Sequence, residues 1–229
     1  MARIPQSLFG LDDLDAPAAA RRATAATVLA RSARRWPSGA TESLARLLDT
    51  DPDPTVRAAA LGALVRRARP GRALWAWQRA VRDTEPALRR TAAQLATRLS
   101  DPAPARAALC ALSRDPDGLV GEAACFALGE TAPPDGRARS EIVAVLAAQS
   151  GEHHDPLVRE AAVAALGAIG DRRGRAAVLA ACDDRPAVLR RAVLALAAFS
   201  GRDVDAAIRK ALDDPDSQVR QAAEDLLAQ

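Results

Sequence analysis

The chain has 229 residues, enough for one or two globular domains. Apolar residues make up 49% of it but aromatics only 3%, with no tyrosine, so Ala and Leu dominate and a single large aromatic core is excluded in favour of short helices packed closely in layers. The net charge of +3 hides a split, with 19 arginines against 10 acidic residues up to Arg114 and 13 basic against 19 acidic residues after it.

Lys210 is the only lysine. Such a bias towards Arg is read first as codon usage, and only second as a nucleic-acid signature. Cys110, Cys125 and Cys182 are far apart, odd in number and set in apolar helical patterns, which suits small buried thiols better than a metal site or disulfide. The N-terminus carries Asp12, Asp13 and Asp15 and no continuous apolar run, so no secretory signal is read there. No stretch has the length needed to span a membrane, and the cytoplasm is the expected location.

Taken in order, residues 1–15 set Leu8, Phe9, Leu11 and Leu14 between charges. They are read as a cap over the first helix, with a partner-binding arm as the alternative; residues 16–229 are expected to form one solenoid. A helix is expected from about Pro17 to Arg34, followed by Arg35-Trp36-Pro37, where Trp36 plugs the first junction.

Beyond it a unit recurs. Its apolar anchors are Val56, Leu88, Val120, Val158, Leu189 and Val219, at spacings of 32, 32, 38, 31 and 30, with an N-terminal relative at Ala20. Small residues follow three and four positions later (Ala59-Ala60, Thr91-Ala92, Ala123-Ala124, Ala161-Ala162, Ala192-Val193, Ala222-Ala223), which is one helical face. Before each anchor stands a turn with helix-start chemistry: Asp51-Pro52, Asp83, Asp115-Pro116, Asp155-Pro156, Asp184-Arg185-Pro186 and Asp214-Pro215. Upstream lies a shorter helix whose inward positions include Leu44 and Leu48, Trp77 and Val81, Leu109 and Leu112, Val143 and Leu146, Val178 and Cys182, Ile208 and Leu212. The chain is therefore expected to be all-α: about six helix pairs after an N-terminal helix.

The pattern Asp-Pro-x-x-x-Val-Arg-x-x-Ala-Ala, plainest at Asp155–Asp171 and Asp214–Leu227, resembles HEAT repeats, in particular the short subclass of phycobiliprotein lyases. That resemblance implies a right-handed α-solenoid of HEAT-like pairs. It also implies that Arg57, Arg89, Arg159, Arg190 and Arg220, each following an anchor, form a ladder to the turn aspartates and carbonyls of neighbouring repeats. Gly121 interrupts this row, and a looser or differently curved junction is expected there.

One position further on, a groove lined by second helices is expected to present Arg22, Ala58, Arg90, Glu122, Glu160, Arg191 and Gln221, with Arg66, Arg67, Arg98 and Glu130 near the far helix ends. The groove so read is basic first and acidic in its middle. Trp77 matches core positions, whereas Trp75 falls between them and is a candidate interface anchor. His153 and His154 are placed in an enlarged loop, Gln149 to Asp155, read as solvated rather than metal-binding.

No catalytic, cofactor or metal residues are assigned. The first functional expectation is a non-catalytic protein-binding scaffold. The alternatives are nucleic-acid binding through the basic half and an accessory subunit of a lyase or other enzyme complex. Among HEAT-containing enzymes, deoxyhypusine hydroxylase holds its irons with His-Glu pairs, and this sequence has no such dipeptide. Alkylpurine DNA glycosylases bind DNA along a basic face with Trp and an acid at the lesion; this chain has few aromatics and offers Glu122 and Glu160 where DNA needs Arg. Bilin lyases share the repeat subclass, but no isolated motif for a chromophore is present.

Overall fold

The computed structural model describes residues 10–32 and 36–228. Thirteen α-helices and no strand occur among the described residues. The fold is an all-helical repeat of the HEAT/armadillo type. Backbone contacts divide it into two compact units, Met1–Ala105 and Arg106–Gln229.

The first unit opens with a 3-10 turn, Leu11–Asp15, and continues through α1 (Ala19–Arg31), α2 (Ala40–Thr50), α3 (Pro54–Arg67), α4 (Pro70–Ala80) and α5 (Pro86–Leu95), with short 3-10 turns at Ala96–Arg98 and Ala103–Ala105. The second contains α6 (Arg106–Leu112), α7 (Gly118–Glu130), α8 (Gly136–Glu152), α9 (Pro156–Ile169), α10 (Arg175–Ala180), α11 (Pro186–Ala195), α12 (Arg202–Ala211) and α13 (Ser217–Leu227). The pairs are α2/α3, α4/α5, α6/α7, α8/α9, α10/α11 and α12/α13. Helix α1 is shorter than its sequence pattern suggests, and Arg34 and Arg35 lie outside the described residues, as do Leu8 and Phe9.

At the start of the first unit Leu14 is fully buried where the 3-10 turn packs on α1 and α2. Asp13 accepts from Gly10 N and pairs with Arg21, both at 2.7 Å, and Arg46 pairs with Asp15. Trp36, half-buried, donates to the Leu29 carbonyl at the end of α1 and lies under the Arg67 guanidinium.

The second helices start as their residue types require. Asp53, Asp117, Asp155 and Asp216 each accept the backbone N–H two residues on, at 2.8–3.0 Å, and proline follows in the first turn at Pro54, Pro86, Pro156 and Pro186. Most of the aspartates expected to cap do something else. Asp51, Asp83, Asp115 and Asp214 stand two residues before the helix boundary and accept from the N–H of Asp53, Glu85, Asp117 and Asp216 at 2.9–3.0 Å. They hold the turn rather than the helix end. In the α8/α9 pair, Asp155 is the cap, so the turn position falls to His153, whose Nδ1 accepts from Asp155 N at 3.1 Å.

Burial fixes the register of the second helices. Val56, Leu88, Val120, Val158, Val188 and Val219 are fully buried, as are Ala60, Ala92, Ala124, Ala162, Ala192 and Ala223 four residues on. The anchor of α11 is thus Val188, not Leu189. In α1 the buried residues are Ala25 and Ala26, which puts the anchor slot at Arg21 rather than Ala20. Both slips are one residue.

The spacing of 38 also has a different origin from an enlarged loop. Helix α8 is extended to 17 residues, and Gln149–Glu152 form its last turn, with Gln149 and Ser150 buried. The connection to α9 is short.

The junction at Gly121, expected to be looser or differently curved, is not loose. A Cβ on Gly121 would come within 2.8 Å of Val158, one on Gly118 would run into the Asp155 carboxylate, and one on Gly129 would approach Ala165 to 3.0 Å. Loss of side chains on α7 lets α9 lie directly against it.

A candidate binding face on the second helices

Beside the core runs the expected arginine ladder. Arg57 grips the Asp83 carboxylate with two hydrogen bonds, 3.0 and 2.8 Å, while its Nη1 donates to the Asp51 and Pro52 carbonyls. Arg159 repeats this on Asp184 at 2.7 and 2.9 Å and on the carbonyls of His153 and His154. Arg89 and Arg220 donate to their own turn carbonyls. A fork meeting a carboxylate in this way is a strong, directional contact. Burial pushes the Asp51 and Asp83 carboxyls up, and at Asp184 it opposes the Arg159 fork, but the arginine and backbone hydrogen bonds together hold all three below the ordinary carboxylate range.

The register corrections reassign three arginines. Arg22 was expected in the groove; it is a ladder rung, bidentate to Asp51 at 2.7 and 2.9 Å and bonded to the Ala16 and Pro17 carbonyls. Arg190 was expected in the ladder; Leu189 occupies that slot, and Arg190 reaches Gln218 instead. Arg191 shifts with it and meets Glu160 at 3.3 Å. At Gly121 the rung is missing from both ends, since its acceptor slot holds His153 where other repeats have aspartate. The structure adds a rung that sequence periodicity missed. Arg139, on the first helix α8, bonds the Pro133 carbonyl and the Asp171 carboxylate, both at 3.0 Å.

The exposed face of the second helices follows from the same register. Two, six and ten residues after each anchor come the positions that point away from the core. In the first unit these include Arg90, half-buried with its Nε buried and unpartnered, and three exposed arginines at successive helix ends, Arg31, Arg66 and Arg98. Arginine in the last turn also suits the helix dipole. Arg67 points elsewhere, to the Ser32 carbonyl and Trp36. Trp75 is half-buried under Arg72, whose guanidinium sits 4.3 Å from its ring, while Trp77 is fully buried and donates to the Ala92 carbonyl at 2.7 Å.

In the second unit the same face is different. Six residues after the anchors stand Phe126, Ala164 and Leu194 on α7, α9 and α11. Phe126 is 60% exposed and Leu194 is 40% exposed. Next to Leu194 a depression of about 290 Å³ is floored by Ala164, Gly167, Ala168, Ala195 and Ala197, with Arg191 at its rim. Its floor carries no side chain larger than a methyl group, and α9 and α11 approach closely there: a Cβ on Gly167 would come within 2.7 Å of Ala195. Glu122, half-buried, and Glu130, exposed, flank Phe126 and have no ion pair among the described residues. The sequence singles out Glu122 and Glu160 but not Phe126 and Leu194: Phe126 is an apolar residue in a helix of apolar residues, and Leu194 falls off the face when α11 is anchored one residue late.

Among the described residues no three His, Cys, Asp or Glu side chains group to hold a metal ion. All three cysteines are free. Burial pushes the Cys125 thiol up to about 12 and Cys182 up to about 11, so neither supplies a thiolate near neutrality. Among the described residues no helix is long and apolar enough to cross a membrane.

A HEAT repeat family model matches residues 107–192 and 143–228, together more than half of the chain. The chain belongs to the HEAT repeat family. Among solved structures it is similar to YibA of Escherichia coli, at 17% identity over 96% of this chain and 80% of that one, with a TM-score of 0.69. It is also similar to an engineered protein, at 20% identity over 95% of this chain and 66% of that one, with a TM-score of 0.55. No curated protein sequence matches it. These likenesses show the fold alone.

Proposed function

We propose that this chain is a non-catalytic protein-binding module of one HEAT solenoid, of the short phycobiliprotein-lyase-like subclass, with residues 10–15 closing its first end. One observation carries the reading: Phe126 and Leu194 stand exposed in the same register on α7 and α11, and a depression floored by Ala and Gly lies beside Leu194. Large apolar side chains grouped on a face, rimmed by charge, are what a partner covers. HEAT-type repeats are commonly used in this way.

The test is affinity purification from the native host with wild type and a Phe126→Glu/Leu194→Glu double variant. Phe126 is mostly solvent-facing and Leu194 partly so, and the variant, with its fold checked by thermal melting, is expected to lose the partner. Equal recovery by the two proteins would sink the reading.

A second reading rests on Arg31, Arg66, Arg98 and Arg90 of the first unit. Three exposed arginines in register, with no ion pair among the described residues, would serve nucleic-acid phosphates. Fluorescence anisotropy with duplex DNA should then show binding that weakens steeply with salt and on Arg66→Glu/Arg98→Glu. Absence of binding at low salt removes it.

A further inference from the structure

The occupant of the second unit's face can be specified further, resting on the protein-binding reading above. We infer that the row Phe126–Ala164–Leu194 seats an amphipathic α-helix whose apolar stripe is flanked by Lys or Arg at its Phe126 end.

Three observations lead to a helix rather than an extended peptide. Helices α7, α9 and α11 contain no Ser, Thr, Asn or Gln, and the whole chain contains no Asn. An extended segment laid on this face would find only Glu122, Glu130, Glu160 and Arg191 to receive its backbone N–H and C=O groups, and each such group buried between them unpaired costs about 1–3 kcal/mol. A helix satisfies its own backbone and needs only apolar complementarity. Spacing agrees. Packed helices lie about 8–10 Å apart, so the row repeats at about that distance. Residues seven apart on an α-helix are about 10.5 Å apart on one face. Finally, the Ala and Gly floor beside Leu194 leaves about 290 Å³ unfilled, room for a large apolar side chain of the incoming helix.

Charge sets the orientation. Glu122 and Glu130 flank Phe126 without an ion-pair partner among the described residues. At the other end Glu160 is already met by Arg191, and α11 carries the half-buried cations Arg190 and Arg191. An occupant basic beside Phe126, and neutral or acidic beside Leu194, matches both ends.

The experiment is selection of a displayed random 20-residue peptide library on the immobilised full chain, followed by anisotropy with the selected peptides. Enriched sequences are expected to be net basic, with apolar residues at i, i+3 or i+4 and i+7, and to become helical on binding. Phe126→Glu should weaken them about tenfold or more, as for a large apolar anchor replaced by a charge. Glu122→Lys/Glu130→Lys should weaken basic peptides and, in a repeat selection, favour acidic ones. The inference is overturned if enriched peptides lack a helical period, are acidic on the wild type, ignore Phe126→Glu, or do not emerge at all. It is equally overturned if sedimentation shows the wild type to be a dimer that Phe126→Glu dissociates, because a second copy then covers the face. Loss of the host partner in the double variant alongside a non-helical selection would reject only the helix, whereas an unchanged host partner would reject the binding reading beneath it.

Discussion

At the scale of single residues, the arginines divide into those whose removal strands a carboxylate and those whose removal does not. The Asp83 side chain is only 10% exposed, and both its ladder bonds come from Arg57. Arg57→Ala leaves that charge half-solvated and also releases two turn carbonyls. A loss of about 1–3 kcal/mol is expected, read as a lower urea midpoint. Arg190 carries the same side chain in the neighbouring sequence position of a later repeat, yet it touches only an exposed glutamine. Arg190→Ala should change stability by less than about 0.5 kcal/mol. Equal effects of the two substitutions would mean that the ladder does not stabilise the repeat through its carboxylates.

At the scale of the helix, the glycines distinguish open surface from contact. Gly62 sits within α3 with nothing near its missing Cβ, so Gly62→Ala should gain about 0.5–1 kcal/mol from helix propensity. Gly121 lies within α7 in a similar backbone, but its Cβ would press on the buried Val158 at 2.8 Å. Gly121→Ala should therefore lose about 1–3 kcal/mol to overpacking despite the same propensity gain. Thermal melting decides the pair, which must move in opposite directions. These helices also show what was legible in the sequence. Helix identity, pairing and inward faces could be read because a period of 3.6 residues leaves its mark on Leu, Val and Ala. Register to one residue could not be read in α1 and α11. In α1 the anchor slot holds Arg21, and in α11 Val188 and Leu189 are adjacent and equally apolar. Only packing chooses between such neighbours, and that choice sent Arg22 to the ladder and revealed Phe126 and Leu194 as one row.

Across the whole molecule, repetition was legible because copies confirm one another, whereas the departures carry the individuality and have no copies to confirm them. The paired replacement of Arg by Gly121 and of Asp by His153 is such a departure, and it gives the chain a titration that a uniform ladder would lack. His153 accepts the Asp155 N–H through Nδ1, stacks on His154 at 4.5 Å between ring centres, and has its carbonyl bound by Arg159. Burial, and then the neighbouring His154, hold its pKa below the usual value of 6.5. A protonated Nδ1 can no longer accept that hydrogen bond. The folded state therefore binds fewer protons here than the unfolded chain, so stability rises with pH. Its contribution is whole above about pH 6.5 and declines below that, through the lower folded pKa. The ladder carboxylates have the same sign in a separate window. Asp184, Asp51 and Asp83 lie below their unfolded value of 3.8, so their contribution is whole above it and disappears only as pH falls further. Melting temperature plotted against pH should accordingly fall in two steps, a small one beginning near pH 6.5 and a large one beginning below about pH 4. His153→Asn keeps an acceptor for the Asp155 N–H but cannot titrate, and should erase the first step while leaving the second. Persistence of the first step in that variant would assign it to another group and remove His153 as its cause.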